Sequence, residues 1–461
     1  MNKRPNILML VTDDQRFDTI AALGNPHIIT PNMDRLVERG MSFTHAYIPG
    51  GTVGAVCMPS RAMLHTGRNL FGLQECGANV PKEHMLLGQT LRQAGYLCYG
   101  TGKWHNGPAA FSRAFETGDD IFFSGMWDHW NVPLNRYDPT GEYDTEVNFI
   151  SDFRHGKQTE KIRCDHFYPG VHSSTIIADS SVRFLEQAPK DRPFFLYAAF
   201  LAPHDPRSMP ERFRRMYEQR EIPLPVNFLP EHPFEFGAHD LRDERLAPYP
   251  RTEADTREQT ADYYAMITHL DYEVGRILDA LEQRGDRENT LIILISDNGL
   301  CMGSHGLFGK QNLYEESVRV PMVLQGPGIT AGTCDSFVYL FDLYPTIGSF
   351  LGLPIPASVQ GKSFASLFQD PRQPHRESLY FAYRNSIRAM CDGRYKMICY
   401  NTPESHTQLF DLENDPWEMN DLSGTGNSAR ICEHLRGMAE QYREMWNEES
   451  CLEAKGFWQG K

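Results

Sequence analysis

The stretch Asn6-Ile-Leu-Met-Leu-Val-Thr-Asp-Asp-Gln15 begins with an unbroken apolar run and ends in two adjacent carboxylates. A run without polar alternation predicts a strand that is buried on both faces, as in a parallel sheet covered by helices. Three later stretches have the same character, at residues 95–100, 193–200 and 291–296. Segments with helical periodicity lie between these strands, the clearest at residues 261–283. We therefore predict an α/β fold with a large, mostly parallel sheet flanked by helices.

Oxygen-bearing side chains follow the first and the last of these strands. Asp13 and Asp14 come directly after the first strand, and Asp297-Asn298 follows the last. Ligands of open α/β sheets bind beyond the carboxyl ends of the strands, so these four side chains are expected to meet. Taken singly, an acidic loop and an Asp-Asn-Gly turn need no ligand. Together, three carboxylates and an amide suit a hard cation; Ca²⁺ is favoured, with Mg²⁺ and Mn²⁺ as alternatives.

The two middle strands are followed by basic side chains. Thr101-Gly-Lys103-Trp-His105 comes after residues 95–100, and Pro203-His204-Asp comes after residues 193–200. Lys103 and His105 are two positions apart and would point the same way if the chain stayed extended. The simpler reading of Lys103 and His105 is a solvated lysine beside a packed Trp-His pair. A lone histidine such as His204 is more often structural than catalytic.

A cysteine lies at the start of a short predicted helix, in Cys57-Met-Pro-Ser-Arg61. Pro59 suits a first helical turn, whose N–H groups lack intrahelical partners, and Gly67 can end the helix. The helix is expected at residues 60–64, with Cys57 just ahead of its N-terminus, where free N–H groups favour negative charge. Arg61 can direct its guanidinium to the same point. The simpler reading is a buried thiol with no further role.

Several segments resemble type I sulfatases of the alkaline phosphatase-like superfamily. The most specific is Cys57-x-Pro-Ser-Arg-Ala followed by Thr66-Gly-Arg68. Further similar segments follow in the order in which the family has them: Gly102-Lys-Trp-His105, Pro203-His-Asp-Pro206, Asp297-Asn-Gly299, Gly303-Ser-His-Gly306 with Lys310, and Tyr314-Glu-x-x-x-Arg-Val-Pro321. The departures are His65, where an apolar residue is commoner, and Ser304, where an acidic residue often occurs.

The resemblance implies a set of site residues and a modification. Cys57 would be oxidised to Cα-formylglycine by a formylglycine-generating or anaerobic sulfatase-maturating enzyme, and the hydrated aldehyde would be the nucleophile. One divalent cation would be held by the following residues: Asp13, Asp14, Asp297, Asn298 and the modified Cys57. Arg61, Lys103 and Lys310 would neutralise the sulfate. His204 or Lys310 would protonate the departing alcohol, and His105 would take a proton from the remaining hydroxyl.

Structural roles are expected for three residues near Lys310. His305 is expected to brace a loop, and Glu315 and Arg319, four positions apart, are expected to form an ion pair. The implied activity is hydrolysis of sulfate monoesters to alcohol and sulfate, with a small sulfated carbohydrate as the expected substrate. Two alternatives remain: a phosphonate or phosphodiester hydrolase of the same superfamily, and an unmodified, non-catalytic anion-binding homologue.

The chain of 461 residues is long enough for more than one unit. A catalytic domain is predicted at residues 1–370 and a C-terminal α+β subdomain at 371–461, with short antiparallel strands and a closing helix. No chemistry is assigned to this subdomain. Residues 111–170 are rich in aromatic residues, Gly, Pro and Asp, and are expected to form a long excursion that covers the site and shapes specificity.

The composition of the chain argues against several classes of binding partner. A net charge of −15 argues against nucleic acid or an anionic membrane surface as the main partner. No apolar run reaches the length of a membrane span, and ten scattered cysteines without a CxxC pair do not resemble a disulfide framework or a zinc site. The N-terminus lacks the apolar region of a signal peptide. We expect a cytoplasmic protein, or a periplasmic or secreted one if a leader has been removed.

Overall fold

The computed structural model describes residues 4–150, 154, 159–401 and 405–458. Residues 151–153 and 155–158 of the excursion predicted at 111–170 lie outside the described residues. The α-helices are α1 (Pro31–Arg39), α2 (Cys57–Thr66), α3 (Leu87–Gln93), α4 (Pro108–Ala114), α5 (Ser173–Gln187), α6 (Glu211–Arg214), α7 (Glu253–Arg284), α8 (Glu315–Val318), α9 (Leu343–Phe350) and α10 (Ser428–Met445).

The first strands along the chain are β1 (Asn6–Thr12), β2 (Met41–Phe43), β3 (Ala46–Tyr47), β4 (Gly50–Gly51), β5 (Leu97–Lys103), β6 (Thr117–Phe122), β7 (Glu146–Phe149), β8 (Glu160–Arg163) and β9 (Phe194–Ala199). They are followed by β10 (Thr290–Ser296), β11 (Met322–Gln325), β12 (Gly332–Cys334), β13 (Val338–Tyr339), β14 (Leu379–Tyr383), β15 (Ile387–Cys391), β16 (Tyr395–Tyr400) and β17 (His406–Asp411).

An eight-stranded sheet forms the centre of the molecule, in the order β12-β2-β11-β10-β1-β9-β5-β6. The pairings β10-β1, β1-β9, β9-β5 and β5-β6 are all parallel, whereas β11 runs antiparallel to both of its neighbours. The carboxyl ends of the five parallel strands therefore share one edge of the sheet. This topology confirms the predicted α/β class with a mostly parallel sheet.

Burial on both faces explains why β1 has no polar alternation. All seven of its residues are buried. Ile7, Met9 and Val11 point into one hydrophobic core, and Leu8 and Leu10 point into the core on the opposite face of the sheet. Because helices or further layers cover both faces, an apolar residue is favoured at every position.

The longest helix, α7, extends well beyond the predicted range of 261–283. It begins at Glu253, eight residues before the predicted start, and has 32 residues. Thr252 caps it, because its side-chain oxygen accepts a hydrogen bond from the backbone N–H of Asp255 at 3.1 Å. Its first turns are polar, so they lack the apolar stripe on which the prediction rested. The helix packs against α1, α5 and α6.

A second, five-stranded sheet lies in the C-terminal part of the chain, in the order β17-β16-β15-β14-β4. Its edge strand, Gly50–Gly51, comes from the segment that leads to Cys57 and pairs in parallel with β14. Gly50 has a φ of 103°, and a Cβ there would lie 2.1 Å from the carbonyl oxygen of Ala382, so only glycine fits this pairing. The core on this side runs continuously into the C-terminal strands. The boundary near residue 370 stays a prediction.

Among the residues that the structure describes, no helix combines the length and the hydrophobicity that crossing a bilayer would require.

Candidate active site

The oxygen ligands predicted from the sequence meet at the carboxyl ends of two neighbouring strands. β1 and β10 pair in parallel register, with Thr12 opposite Ser296, so the residues that follow each strand are adjacent. The backbone N–H of Asp14 donates to Oδ1 of Asp297 at 3.2 Å, and the Asn298 amide donates to Oδ1 of Asp14 at 2.7 Å. We call Asp13, Asp14, Cys57, Asp297 and Asn298 the strand-end cluster.

Two oxygens of the strand-end cluster are buried without a hydrogen-bond partner among the described residues. They are Oδ1 of Asp13 and Oδ1 of Asn298, and both residues are almost fully inaccessible to solvent. An unsatisfied buried acceptor costs free energy, so a ligand that accepts lone pairs would be stabilising here. Three carboxylates with an amide oxygen are the donor set of a hard divalent cation. The residues present therefore fit such an ion.

Basic side chains surround the strand-end cluster. Lys103 donates from Nζ to Oδ2 of Asp13. Arg61 donates from Nε to Oδ2 of Asp297 at 2.7 Å and from Nη1 to the carbonyl oxygen of Lys103 at 2.9 Å. Lys310 donates from Nζ to both carboxylate oxygens of Asp14, at 2.6 and 2.8 Å. The three cations balance the three carboxylates of the cluster, so a bound divalent cation would leave the region with a net positive charge, which would suit an anionic substrate.

The position of Cys57 differs slightly from the prediction. It is the first residue of α2 rather than a residue ahead of the helix, and α2 runs on to Thr66 instead of ending near residue 64. Gly67 provides the left-handed C-cap, as expected. Lys310 Nζ lies 3.1 Å from Sγ of Cys57. Burial and the charge of Asp13 raise the pKa of Cys57 well above its ordinary value, so the encoded side chain is a neutral thiol and a weak nucleophile.

Lys103 and His105 are not arranged by an extended chain. β5 continues through Gly102 to Lys103, three residues beyond the predicted end. Gly102 makes this possible, because it has a φ of 83° and lies so close to the backbone of Ala199 that a Cβ would not fit. His105 follows with a φ of 68°, which turns its side chain in a direction that the extended spacing does not give.

His105 faces the same cationic side chains. Burial lowers its pKa well below the ordinary value, and the charges of Lys103 and Arg61 lower it further. Its Nδ1 is buried without a partner in the described part of the chain. The imidazole is therefore neutral and can accept a proton.

His204 completes the group around Cys57. Ligand atoms of His204, Asp13, Asp14 and Cys57 all lie within 4.8 Å of one another. Nδ1 of His204 donates to the carbonyl oxygen of Asp205 at 2.9 Å, and Nε2 lies 3.6 Å from Oδ2 of Asp14. This tautomer follows from the carbonyl acceptor, and it leaves Nε2 facing the strand-end cluster.

Burial and neighbouring charges separate the carboxyl pKa values in the cluster. Burial alone would raise the pKa of Asp13, but Lys103, His204 and Arg61 together hold it well below its ordinary value. Burial and the charge of Asp13 raise the pKa of Asp297 to about 6. The charge of Asp13 therefore disfavours the ionised form of Asp297, and an added cation would favour the ionised forms of both.

The other histidines near the motifs are structural. His65 is fully buried between the rings of Trp104 and Tyr197, and burial with the Arg61 charge lowers its pKa to about 3. His305 stacks on Tyr314 with 3.7 Å between ring centroids and contacts Asn227, which agrees with a loop-bracing role.

The predicted pair of Glu315 and Arg319 forms at 3.8 Å, but the closer partner of Glu315 is Lys396, at 2.9 Å. Lys396 also lies 2.9 Å from Glu418. Glu315, Lys396 and Glu418 are buried and connect α8 to β16 and to the segment that follows β17. We call these three residues the subdomain joint. No sequence pattern predicted that Lys396 and Glu418 would contact Glu315.

The sequence patterns also did not identify an arc of polar residues beside the strand-end cluster. It consists of Asp205, Arg242, Asp243 and Gln311, and we call it the entrance arc. Two members adjoin predicted residues, because Asp205 follows His204 and Gln311 follows Lys310. Arg242 and Asp243 lie in a stretch of mixed charge and many prolines, where no periodicity identifies them.

A family model described as Sulfatase matches residues 5–353, which is more than half of the chain. The chain belongs to the sulfatase family. A second model, described as N-sulphoglucosamine sulphohydrolase, C-terminal, matches residues 303–445. Family membership confirms the predicted class of enzyme, a sulfuric ester hydrolase. The family generally uses a divalent metal ion and formylglycine, and the buried acidic group at Asp13, Asp14 and Cys57 could hold a metal.

Relatives and solved structures agree with this assignment. An N-acetylglucosamine-6-O-sulfatase of Bacteroides thetaiotaomicron is 25% identical, over 97% of this chain and 87% of the relative. A solved structure of a protein in complex with its substrate D-glucosamine-2-N,6-O-disulfate superposes with a TM-score of 0.78, at 22% identity, and covers 97% of this chain and 99% of the other. A phosphonate monoester hydrolase of Agrobacterium radiobacter has a TM-score of 0.72 at 20% identity, with 96% of each chain covered. The last two show a shared fold.

Proposed function

We propose that this protein hydrolyses the sulfate ester of a small sulfated sugar. The observation that carries the proposal is the convergence of Cys57 with three carboxylates, two lysines and His204 around buried, unpaired oxygens. The name of the N-acetylglucosamine sulfatase relative, which matches nearly the full length of the chain, supports a sugar as the alcohol part of the substrate.

The proposed cofactors are one Ca²⁺ ion and a Cα-formylglycine made from Cys57. Asp13, Asp14, Asp297 and Asn298 would hold the ion, which would supply Lewis-acid polarisation of the bound sulfate. The formylglycine would supply a hydrated aldehyde, a nucleophile that the neutral thiol of the encoded cysteine cannot replace. The maturating enzyme and the cytoplasmic location stay predictions.

The basic residues bind and orient the sulfate. Lys103, Arg61 and Lys310 are buried around the strand-end cluster, so their charges act in a region with little solvent screening. Each is already fixed by a carboxylate, and each therefore presents its charge without reorganisation when the substrate arrives. Such preorganised charges stabilise a transferring sulfuryl group more than a flexible side chain would.

The two histidines transfer protons at different steps of the proposed reaction. His204 donates through Nδ1 to the carbonyl oxygen of Asp205, so in its imidazolium form, beside the carboxylates of Asp14 and Asp205, it can give the proton on Nε2 to the departing sugar oxygen, which leaves as the hydroxyl. Lys310 was the other candidate for this step, but its Nζ already contacts both oxygens of Asp14 and the sulfur of Cys57. His105 is a neutral imidazole with an unpaired Nδ1, so it can accept the proton that is released when sulfate leaves.

The test is turnover by enzyme that has been co-produced with a sulfatase-maturating enzyme. Sulfated monosaccharides that differ in sugar and in sulfate position would be assayed with added Ca²⁺, and intact mass would measure the conversion of Cys57. We expect sulfate release in proportion to the converted fraction. An aryl phosphonate monoester serves as the comparison, because a phosphonate monoester hydrolase shares the fold.

Three results would contradict the proposal. Faster turnover of the phosphonate than of every sulfate ester would favour the phosphonate hydrolase. A protein that stays fully unconverted and binds sulfated sugars without cleaving them would favour the anion-binding homologue. Greater activity on an intact sulfated polysaccharide than on any monosaccharide would exclude a small sugar as the natural substrate.

A further inference from the structure

The entrance arc connects the surroundings of Cys57 to His204. The amide of Gln311 donates to the carbonyl oxygen of Gly54 at 3.3 Å and to Oδ2 of Asp243 at 2.7 Å. Gln311 follows Lys310, whose ammonium group lies 3.1 Å from the sulfur of Cys57. One end of the arc is therefore next to the reacting group.

The other end of the arc, Asp205, contacts His204, the histidine that faces the leaving group in the proposed reaction. Arg242 donates to Oδ1 of Asp243 at 2.9 Å and to Oδ1 of Asp205 at 2.7 Å. Oδ1 of Asp205 lies 3.3 Å from Nδ1 of His204. The side chain of Arg242 is 44% exposed, whereas those of Asp205 and His204 are each 7% exposed. Arg242 thus marks the solvent side of the arc, where the sugar part of a substrate would enter.

The C-terminal sheet reaches the same entrance through β14. Tyr383 pairs with Gly51, and the backbone N–H of Arg384 donates to the carbonyl oxygen of Gly51 at 2.8 Å. The guanidinium of Arg384 packs so closely on Gly54 that a Cβ there would lie 2.7 Å from its Nη2. Gly54 is the residue whose carbonyl oxygen accepts from Gln311, so Arg384 adjoins the arc.

Tyr383 is close to the arc as well. Burial raises its pKa to about 12, and the charges of Arg384 and Asp243 act on it in opposite directions. The side chain is 4% exposed, and its hydroxyl has no hydrogen-bond partner within the described ranges of the chain. A buried hydroxyl without a partner is costly, so a ligand atom that accepts its proton would be stabilising.

Arg384 differs from Arg242 in that no carboxylate of the described residues pairs with its guanidinium. Arg242 is held between two carboxylates, so its charge is neutralised inside the protein. Arg384 is exposed, and its guanidinium lies over the ring of Tyr383 at 5.6 Å, with no carboxylate in ion-pair distance in the part of the chain that the structure describes. An exposed cation without a carboxylate partner and a buried hydroxyl without a hydrogen bond therefore lie side by side in the described part of the chain.

We propose that Arg384 and Tyr383 bind a second anionic substituent of the sugar, a sulfate or a carboxylate, and so make the enzyme selective for dianionic sugars. This inference rests on the proposed sulfatase function. A sulfate or carboxylate group has several oxygens, so it can accept hydrogen bonds from a guanidinium and from a hydroxyl at the same time. A neutral sugar would leave the guanidinium charge without a counter-charge.

The experiment compares three substrates on the matured enzyme: a monosaccharide with one sulfate, the same sugar with a second sulfate, and the same sugar with one sulfate and a carboxylate. The measured quantity is the ratio of kcat/KM for each dianionic sugar to kcat/KM for the monosulfated sugar. We expect a preference for at least one dianionic sugar in the unaltered enzyme. Which ratio is raised identifies the anion.

The variants are Arg384→Gln, Arg384→Lys and Tyr383→Phe, with Arg430→Gln as the matched control. Arg430 is exposed on α10. We expect Arg384→Gln to lower the ratio by about 10- to 100-fold, mainly through KM, because it removes one partner of a charge-assisted contact. Arg384→Lys should keep part of the preference, Tyr383→Phe should lower it about 3- to 10-fold, and Arg430→Gln should keep the full ratio. Thermal unfolding of each variant checks that it folds.

Two results would overturn the inference. One is an unaltered enzyme with no preference for either dianionic sugar, and the other is an Arg384→Gln variant that lowers kcat/KM equally for all three substrates. Failure of the sulfatase function is a separate result, namely no sulfate release from any ester. In that case, calorimetric titration with the anionic sugar that lacks the scissile sulfate tests the inference. Tighter binding by the unaltered protein than by Arg384→Gln would support it, and equal binding would refute it.

Discussion

Two groups of buried charges in this protein look alike in composition and differ in what they leave unpaired. The strand-end cluster combines three carboxylates with lysine and arginine side chains, and the subdomain joint combines Glu315, Lys396 and Glu418. In the joint, Oε1 of Glu418 lacks a well-aligned hydrogen bond but lies 2.9 Å from Nζ of Lys396. In the cluster, Oδ1 of Asp13 and Oδ1 of Asn298 have no hydrogen bond among the described residues, and the ion pairs of Asp13 are made through its other oxygen, Oδ2.

The difference separates a binding site from a structural contact. Buried charge is costly in both places and is tolerated only because opposite charges offset it. The joint completes this compensation within the protein, so it stabilises the arrangement of the two parts of the chain. The strand-end cluster keeps unpaired oxygens next to Cys57, so it is completed only by an added cation. Unpaired buried atoms, more than buried charge, therefore indicate function here.

The largest expected effect of any change in the strand-end cluster follows from Cys57→Ala. We expect sulfatase activity to fall by at least about 10⁴-fold, because the variant has no side chain that can be oxidised to the nucleophile. Sulfate release measured on matured enzyme checks this. Thermal unfolding should be little changed, since Ala fits the space of Cys. Activity within tenfold of the unaltered enzyme would show that Cys57 is not the nucleophile.

Asp13→Asn should cause the next largest loss. Substituting a partner of a metal ligand typically costs 10- to 100-fold in metal affinity, and substituting a ligand itself should cost at least about 100-fold in affinity and activity. Metal content by mass spectrometry and sulfate release are the measurements. The matched control is Asp119→Asn, in an acidic group that already pairs with Arg183. Metal content that falls equally in both variants would remove the distinction between the two kinds of acidic group.

Lys396→Met tests the subdomain joint. It leaves Glu315 and Glu418 without their shared cation, and breaking a buried ion pair in this way destabilises a protein by about 3–5 kcal/mol. Denaturant unfolding measures the free energy, while activity per folded molecule should stay close to that of the unaltered enzyme. Lys161→Met, in an exposed pair with Glu146, should cost no more than about 1 kcal/mol. Equal destabilisation by both variants would contradict the role of the joint.

The smallest expected effect concerns the pH dependence of the joint. Burial, together with the charge of Glu315, raises the pKa of Glu418 from its ordinary 4.5 to about 7, although Lys396 opposes the shift. The folded state therefore binds the proton more tightly than the unfolded state, and this group lowers the free energy of unfolding as pH rises from about 4.5 to 7. Glu418→Gln removes that contribution, so the variant should gain stability relative to the unaltered protein across this window. A pH-independent difference would refute the assignment.

The sequence predicted the central sheet and the residues at its edge because both depend on local patterns. An unbroken apolar run such as residues 6–11 can be stable only with both faces covered, and parallel strands bring their carboxyl ends to one edge. Asp13 and Asp297 were therefore expected at the same edge, and the tertiary structure decided that β1 and β10 are neighbouring strands. The start of α7 and the last residues of β5 were missed, because a polar first helical turn and a left-handed glycine inside a strand give no periodic signal.

The amino-acid sequence alone determined that this chain has doubly covered strands, oxygen ligands behind two of them and a cysteine motif shared with the sulfatases. Only the tertiary structure decided that Tyr383 and Arg384 lie at the entrance beside Gly54. The pairing of β4 with β14 places them there. That pairing consists of backbone hydrogen bonds between segments more than three hundred residues apart. The sequence records it only in the glycines of β4, where a Cβ at Gly50 would collide with Ala382, and a glycine pair does not identify its partner strand.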